Sequence, residues 1–139
     1  MSKREKKNED KILRSWHLLD AENQILGRLS TQAARLLMGK DKPERVPYLD
    51  RGDYVVVINA AKVAVTGKKE VQKRYFRYSG YPSGLKSETL GALRKRRPTE
   101  IIRRAVLGML PDNKLSRKMI TRFFVYPEKE GEMVEKAKK

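Results

Sequence analysis

Residues 54–58 read Tyr54-Val55-Val56-Val57-Ile58, five strand-forming side chains in a row with no polar residue alternating among them. A strand with one wet face alternates apolar and polar residues, whereas a strand covered on both faces does not. The run therefore predicts the central strand of a parallel sheet, with helices packed over it. Upstream, residues 42–52 contain Pro43, Pro47 and Gly52 and read as a loop. Before that loop, Leu26, Leu29, Ala33, Leu36 and Leu37 recur at helical spacing, while Arg28, Gln32 and Arg35 fall on the opposite side. This is an amphipathic helix, closed by Gly39. Residues 16–19 suit another buried strand, ended by Asp20, with Glu22 and Asn23 supplying turn chemistry.

Downstream of the YVVVI run, residues 63–66 read as a short strand before Gly67. Residues 74–78 (Arg-Tyr-Phe-Arg-Tyr) read as a strand with no cleanly apolar face, which suits an edge or a partner contact. Ser87 is placed to cap a helix running to about Arg96, and Pro98 to occupy the first turn of the next. The buried stripe of that second helix is expected from Ile101, Ile102, Ala105, Val106 and Met109, with Arg103 and Arg104 outward and Pro111 ending it. Asn113 can cap a short helix carrying Leu115 and Met119, and residues 123–126 read as a last strand. Strands alternating with helices predict an α/β layered fold with a small, mainly parallel sheet. At 139 residues, without internal repeats, the chain fits one domain. Residues 1–14 read as a charged arm, 15–126 as the folded body, and 127–139 (PEKEGEMVEKAKK) as a charge-balanced tail with little to bury.

The net charge of +16 is unevenly spread. Residues 68–104 hold twelve Lys and Arg against Glu70, Glu88 and Glu100, a net of +9, whereas residues 15–67 carry seven basic and six acidic side chains. Such asymmetry is the electrostatic footprint of a polyanion-binding surface. Within it, the stretch from Lys68 to Lys86 interleaves cations with Tyr75, Phe76, Tyr78 and Tyr81 and ends in a loop marked by Gly80, Pro82 and Gly84. Cations neutralise phosphates, aromatic rings stack on bases or riboses, and glycine lets a backbone approach closely. A core role competes for one or two of the four aromatics. The loop has two readings, a close-approach point for RNA and an ordinary turn. The run Arg94-Lys95-Arg96-Arg97 exceeds what a helix end needs to complement its dipole, which favours phosphate contact.

Enzyme signatures are missing from the sequence. Neither Gly39-Lys40 nor Gly67-Lys68 has the upstream Gly or the following Ser or Thr of a phosphate-binding loop, and no G-x-G-x-x-G follows residues 54–58. There is no cysteine and a single histidine, His17, which sits in a predicted strand and reads as structural; no metal cluster is expected. Asp20, Asp50 and Asp53 lie at strand ends and turns, where capping suits them better than acid/base work. No apolar run approaches a membrane span, and the N-terminal residues lack the apolar core of a signal peptide, so a cytoplasmic protein is expected.

Taken in order, the motifs Trp16 with Asp20-Ala21, Leu26-Gly27-Arg28-Leu29, Gly39-Lys40, Gly52-Asp53-Tyr54 through Ala60, Thr66-Gly67-Lys68-Lys69, Ser79-Gly80-Tyr81-Pro82, Gly84-Leu85-Lys86 and Gly108-Met109-Leu110-Pro111 closely resemble the bacterial form of the universal large-subunit ribosomal protein thirteen family. The resemblance spans about residues 15–126. It implies a three-layer α/β/α body, a place on the large ribosomal subunit, contact with large-subunit rRNA, a role early in assembly, and neighbouring ribosomal proteins as partners. It also implies no catalytic activity, cofactor, metal, membrane or small-molecule substrate. The chain departs from the family pattern at Tyr78, where His is frequent, at Ser83, where a second Gly is usual, at Ser116, and after Tyr126, where a Glu/Lys tail replaces the usual Gly and His-Pro-His ending. The expected RNA-binding residues are Arg28, Lys68, Lys69, Lys73, Arg74, Tyr75, Arg77, Tyr78, Gly80, Tyr81, Gly84, Lys86, Arg94, Lys95, Arg96, Arg97, Arg103, Arg104, Lys114, Arg117 and Lys118. The alternatives are an α/β nucleic-acid-modifying enzyme and a free-standing RNA- or DNA-binding regulator.

Overall fold

A computed structural model describes residues 13–138; apart from Leu13 and Arg14, the charged arm expected over residues 1–14 lies outside them. Along the chain the elements are β1 (Trp16–Asp20), α1 (Leu26–Leu37), β2 (Tyr54–Ile58), α2 (Lys69–Gln72), β3 (Arg74–Tyr78), β4 (Leu85–Thr89), α3 (Leu90–Arg96), α4 (Pro98–Met109), α5 (Lys114–Ile120), β5 (Phe123–Val125) and α6 (Val134–Lys138). The YVVVI run is the middle strand of a parallel sheet in the order β1-β2-β5. Its unbroken apolar character has the expected cause. Val55 and Val57 pack with Leu29, Ala33 and Leu37 of α1, Ile102 and Val106 of α4, and Met119 of α5. Val56 and Ile58 face the other way, against Trp16, Phe124 and Val134. Helices therefore lie on both faces, giving an α/β fold in three layers.

The loops that enter this sheet are locked together by charge. Asp53, just before β2, accepts from the Ser15 amide at 2.9 Å, lies 3.1 Å from His17 Nε2, and pairs with Lys42. Burial pushes its carboxyl pKa up, but the hydrogen bonds from Lys42, Ser15 and His17 outweigh that and hold it below the ordinary value. Arg122, just before β5, donates from Nη1 and Nη2 to the two carboxylate oxygens of Asp50 at 2.5 and 2.6 Å. These aspartates and His17 thus join strand entries, which is tighter work than the capping expected of them. Asp20 does act locally: its Oδ1 accepts from the Glu22 amide and from Asn59 Nδ2. Gly52 is required by contact, because a Cβ there would lie 1.6 Å from the carbonyl oxygen of Leu37 at the end of α1.

Several elements differ from the sequence reading. Residues 63–66 form no strand: Ala64 makes only an isolated bridge to Ile25, following a 3-10 turn at Ala60–Lys62. Two backbone hydrogen bonds, Leu26 N to Ala64 O and Ala64 N to Gln24 O, exhaust that pairing. Ser87 lies inside β4, and the cap of α3 is Thr89, whose Oγ1 accepts from the Ala92 amide at 3.3 Å. Met109 is exposed, and Leu110 takes the buried position because it falls four residues after Val106 on the covered face. The tail read as having little to bury contributes α6, whose Val134 is buried against the sheet with Met133 and Ala137 beside it. The chain returns there across Tyr126, whose hydroxyl accepts from the Met133 amide at 3.2 Å. Trp16, stacked on Tyr54 with ring centroids 4.3 Å apart, lies under Lys136.

Candidate nucleic-acid interface

The segment of highest charge folds outside the parallel sheet. β3 pairs antiparallel with β4 in a separate two-stranded ribbon, with Arg74 opposite Thr89 and Tyr78 opposite Leu85. A ribbon of this size is marginal alone and needs a surface to lean on. Tyr75 provides the attachment, packing against a second core of Leu90 and Leu93 from α3 and Ile101 from α4. Burial raises the Tyr75 phenol above its ordinary pKa, with Arg104 pulling the other way. Lys73 Nζ and the Arg104 guanidinium lie over its ring, 5.9 and 5.3 Å from the centroid. Tyr75 is thus the inward-packing aromatic among the four, and Phe76, Tyr78 and Tyr81 stay exposed.

The acids of this region are used internally. Glu70 takes Arg94 at 2.8 Å, Glu88 takes Arg96 through both carboxylate oxygens at 3.2 and 2.5 Å, and Glu100 takes Arg104 at 2.9 Å. Nine cations then have no acid partner among the described residues: Lys68, Lys69, Lys73, Arg74, Arg77, Lys86, Lys95, Arg97 and Arg103. The net +9 read along the chain is therefore also a count of unpaired cations on the folded surface. Within the run 94–97, Arg94 and Arg96 tie α3 to α2 and to β4, and Lys95 and Arg97 are the exposed unpaired pair.

An open groove of about 520 Å³ separates the ribbon from the α3–α4 junction. Tyr75, Arg77, Lys86, Arg96, Arg97 and Arg104 all line it, so six of the expected residues converge on one concave surface. Lys69 and Lys73 border a neighbouring cavity on the far side of Tyr75, which also reaches Gly27 at the start of α1. Arg28 is exposed next to that position. Lys114, Arg117 and Lys118 are exposed on α5 and line neither space. In the tip loop, Gly80 has φ +86° with open space around it, and Ser83 also takes a left-handed φ of +61°, a conformation that favours glycine. Gly84 is different: a Cβ there would lie 2.1 Å from Ser79 Oγ and 2.9 Å from the Tyr81 carbonyl oxygen, so its smallness serves the loop's own packing.

This disposition of cations on an α/β body can be compared with known proteins. The model of the ribosomal protein L13 family matches residues 14–132. The chain belongs to that family. A protein of Methylococcus capsulatus named large ribosomal subunit protein uL13 is 54% identical over 115 residues, covering 83% of this chain and 81% of that protein. One of the same name from Prochlorococcus marinus is 51% identical over 117 residues, covering 84% and 78%. Large ribosomal subunit protein uL13c of Porphyra purpurea is 52% identical over 113 residues, covering 81% and 80%. The ribosomal protein L13 family is structural and not enzymatic. The match ends at Glu132, so α6 lies beyond it.

Sequence reasoning missed β4 and, with it, the pairing of Glu88 to Arg96. Leu-Lys-Ser-Glu-Thr has little strand propensity, yet the Gly- and Pro-marked loop between two five-residue runs is a hairpin signal. Phe76, which lies between two expected contact residues, was not among the expected RNA contacts although it is as exposed as Tyr78. Among the described residues no cluster of His, Cys, Asp or Glu could hold a metal, and no helix is long and apolar enough to cross a membrane.

Proposed function

We propose that this protein is a structural constituent of the large ribosomal subunit that binds large-subunit rRNA and orders it early in assembly, with neighbouring ribosomal proteins as its other partners. One observation carries the reading: all three glutamates of residues 68–104 are neutralised within the fold, leaving nine cations without an acid partner among the described residues, around α2, the ribbon and the α3–α4 junction. A fold that needed those cations for its own stability would pair them. Unpaired and grouped, they would neutralise the phosphates of a polyanion and gain affinity by releasing its counterions. Family membership supports large-subunit rRNA as the polyanion, since the relatives are named as large-subunit proteins.

The role is positional. The parallel sheet and its helices form a rigid block, and the ribbon with the helix junction presents cations and aromatic rings from it. Holding RNA segments against such a block needs no proton transfer, nucleophile or metal. The test is co-sedimentation of the tagged chain with large subunits through a sucrose gradient. The expected result is association that survives moderate salt and is absent from small subunits; a chain that stays at the top of the gradient in low salt contradicts the proposal.

A further inference from the structure

The β3–β4 ribbon has two unlike faces. Directly paired residues of an antiparallel ladder share a face, so the register puts Arg74, Phe76, Tyr78, Ser87 and Leu85 on one side and Tyr75, Arg77, Lys86 and Glu88 on the other. The second side faces the groove, whose lining also touches Phe76 and Ser87, and is anchored by Tyr75 and by Glu88 in its pair with Arg96. The first is left largely open by the described residues. Phe76, Tyr78 and Leu85 are 63%, 64% and 60% exposed, and Tyr81 at the tip is 75% exposed.

Resting on the RNA-binding reading above, we infer that this outer face is a platform for unpaired nucleotides, with Phe76 and Tyr78 as the stacking residues. Three observations point to that occupant. Phe76 and Tyr78 stand two residues apart on one strand, about 6.6 Å along it, so two rings are offered in sequence and not as one isolated contact. The small Ser87 lies opposite Phe76, which leaves the ring open on that side. The charge on the face has one sign: Arg74 stands on it, while the ribbon's single acid, Glu88, is on the other side, with Arg77 and Lys86, and is already paired.

Duplex RNA fits this face poorly, because its base faces are stacked inside the helix and only edges and the backbone are presented. A protein neighbour fits less well than an unpaired strand, because the buried centre of a protein interface is depleted in charge and Arg74 would have to be paired or desolvated there. An unpaired strand brings a π-face and a phosphate with each nucleotide. Stacking of this kind tolerates any base, so the platform selects for unpaired structure and not for sequence.

The test uses the full chain and two probes with equal phosphate count, a single-stranded oligoadenylate and an RNA duplex, titrated by fluorescence anisotropy at one salt concentration. Phe76→Ala and Tyr78→Ala are each expected to weaken single-strand binding about tenfold, the scale of one lost base-aromatic stack, and to leave duplex binding within about twofold. Phe76→Tyr should restore the single-strand affinity. Both side chains are mostly exposed, so thermal melting should confirm unchanged folding. Equal losses on both probes, or no loss on either while the parent binds, overturn the platform; in the second case a protein is the occupant of the face. A parent that binds neither probe overturns the RNA-binding reading itself.

Discussion

β2 and β3 are strands of equal length, five residues each, in opposite surroundings. β2 has a hydrogen-bonded neighbour on both sides and buries its valines completely, whereas β3 has one neighbour and exposes four of its five side chains. The first is where folding free energy comes from, since burying a Val, Leu or Ile side chain contributes about 1.5–3 kcal/mol. The second carries aromatic rings and cations that the fold leaves largely uncovered. On the proposed reading, stability and recognition are held by separate sheets, joined at Tyr75 and at the Thr89-capped start of α3. Changes in one should then leave the other nearly untouched.

The largest expected effect lies on the stability side. Gly52→Ala forces a Cβ into the backbone carbonyl of Leu37, which no rotamer change relieves, and should cost about 3 kcal/mol or more in urea unfolding. Asp53→Asn follows, at about 2 kcal/mol, because it takes the counter-charge from the partly exposed Lys42 and weakens the hydrogen bonds that the buried carboxylate makes with Ser15 and His17. Its pH dependence has a fixed sign. The folded carboxyl titrates below its unfolded value of about 4, so its contribution is complete above that pH and fades as pH falls through the lower, folded value. Parent stability should therefore show an acid limb below about pH 4 that Asp53→Asn flattens; an unchanged limb would remove Asp53 from the account.

Deleting residues 133–139 uncovers the second face of the sheet at Trp16, Val56 and Phe124. A loss of about 2 kcal/mol, the burial of roughly one large apolar side chain, is expected, with tryptophan emission moving to the red as Trp16 meets water. No shift in emission would mean that α6 does not shield the ring.

How much of this was legible followed from burial. The YVVVI run, the helix from Leu26 to Leu37 and the Pro98 helix declare themselves because their partners lie on one or both apolar faces, and periodicity records faces. The tail did not, because Met133, Val134 and Ala137 are three apolar residues amid eight charged ones, and only the Trp16 face that receives them makes α6 worth folding. The cations at 68–104 were legible as a group. Which of them are free was not, because ion pairs such as Glu70 with Arg94 depend on how α2 meets α3 in space.

On the recognition side the expected effects on stability are smallest and those on binding are separable. Lys95→Gln and Arg97→Gln should each change stability by less than about 0.5 kcal/mol and reduce the slope of log affinity against log salt by about one unit. Arg94→Gln is the internal comparison: its guanidinium is used on Glu70, so it should weaken the α2–α3 contact while leaving the salt slope nearly as it was. Equal slopes for all three variants would erase the division between paired and unpaired arginines.

The separation of the two sheets is tested most directly by amide hydrogen exchange of the chain, free and incorporated into large subunits. Strong new protection is expected across residues 74–89 and 94–97, with residues 54–58 already protected in the free chain and unchanged on incorporation. Protection that instead appears over β1 and α6, with the ribbon exchanging as fast as in the free chain, would contradict it.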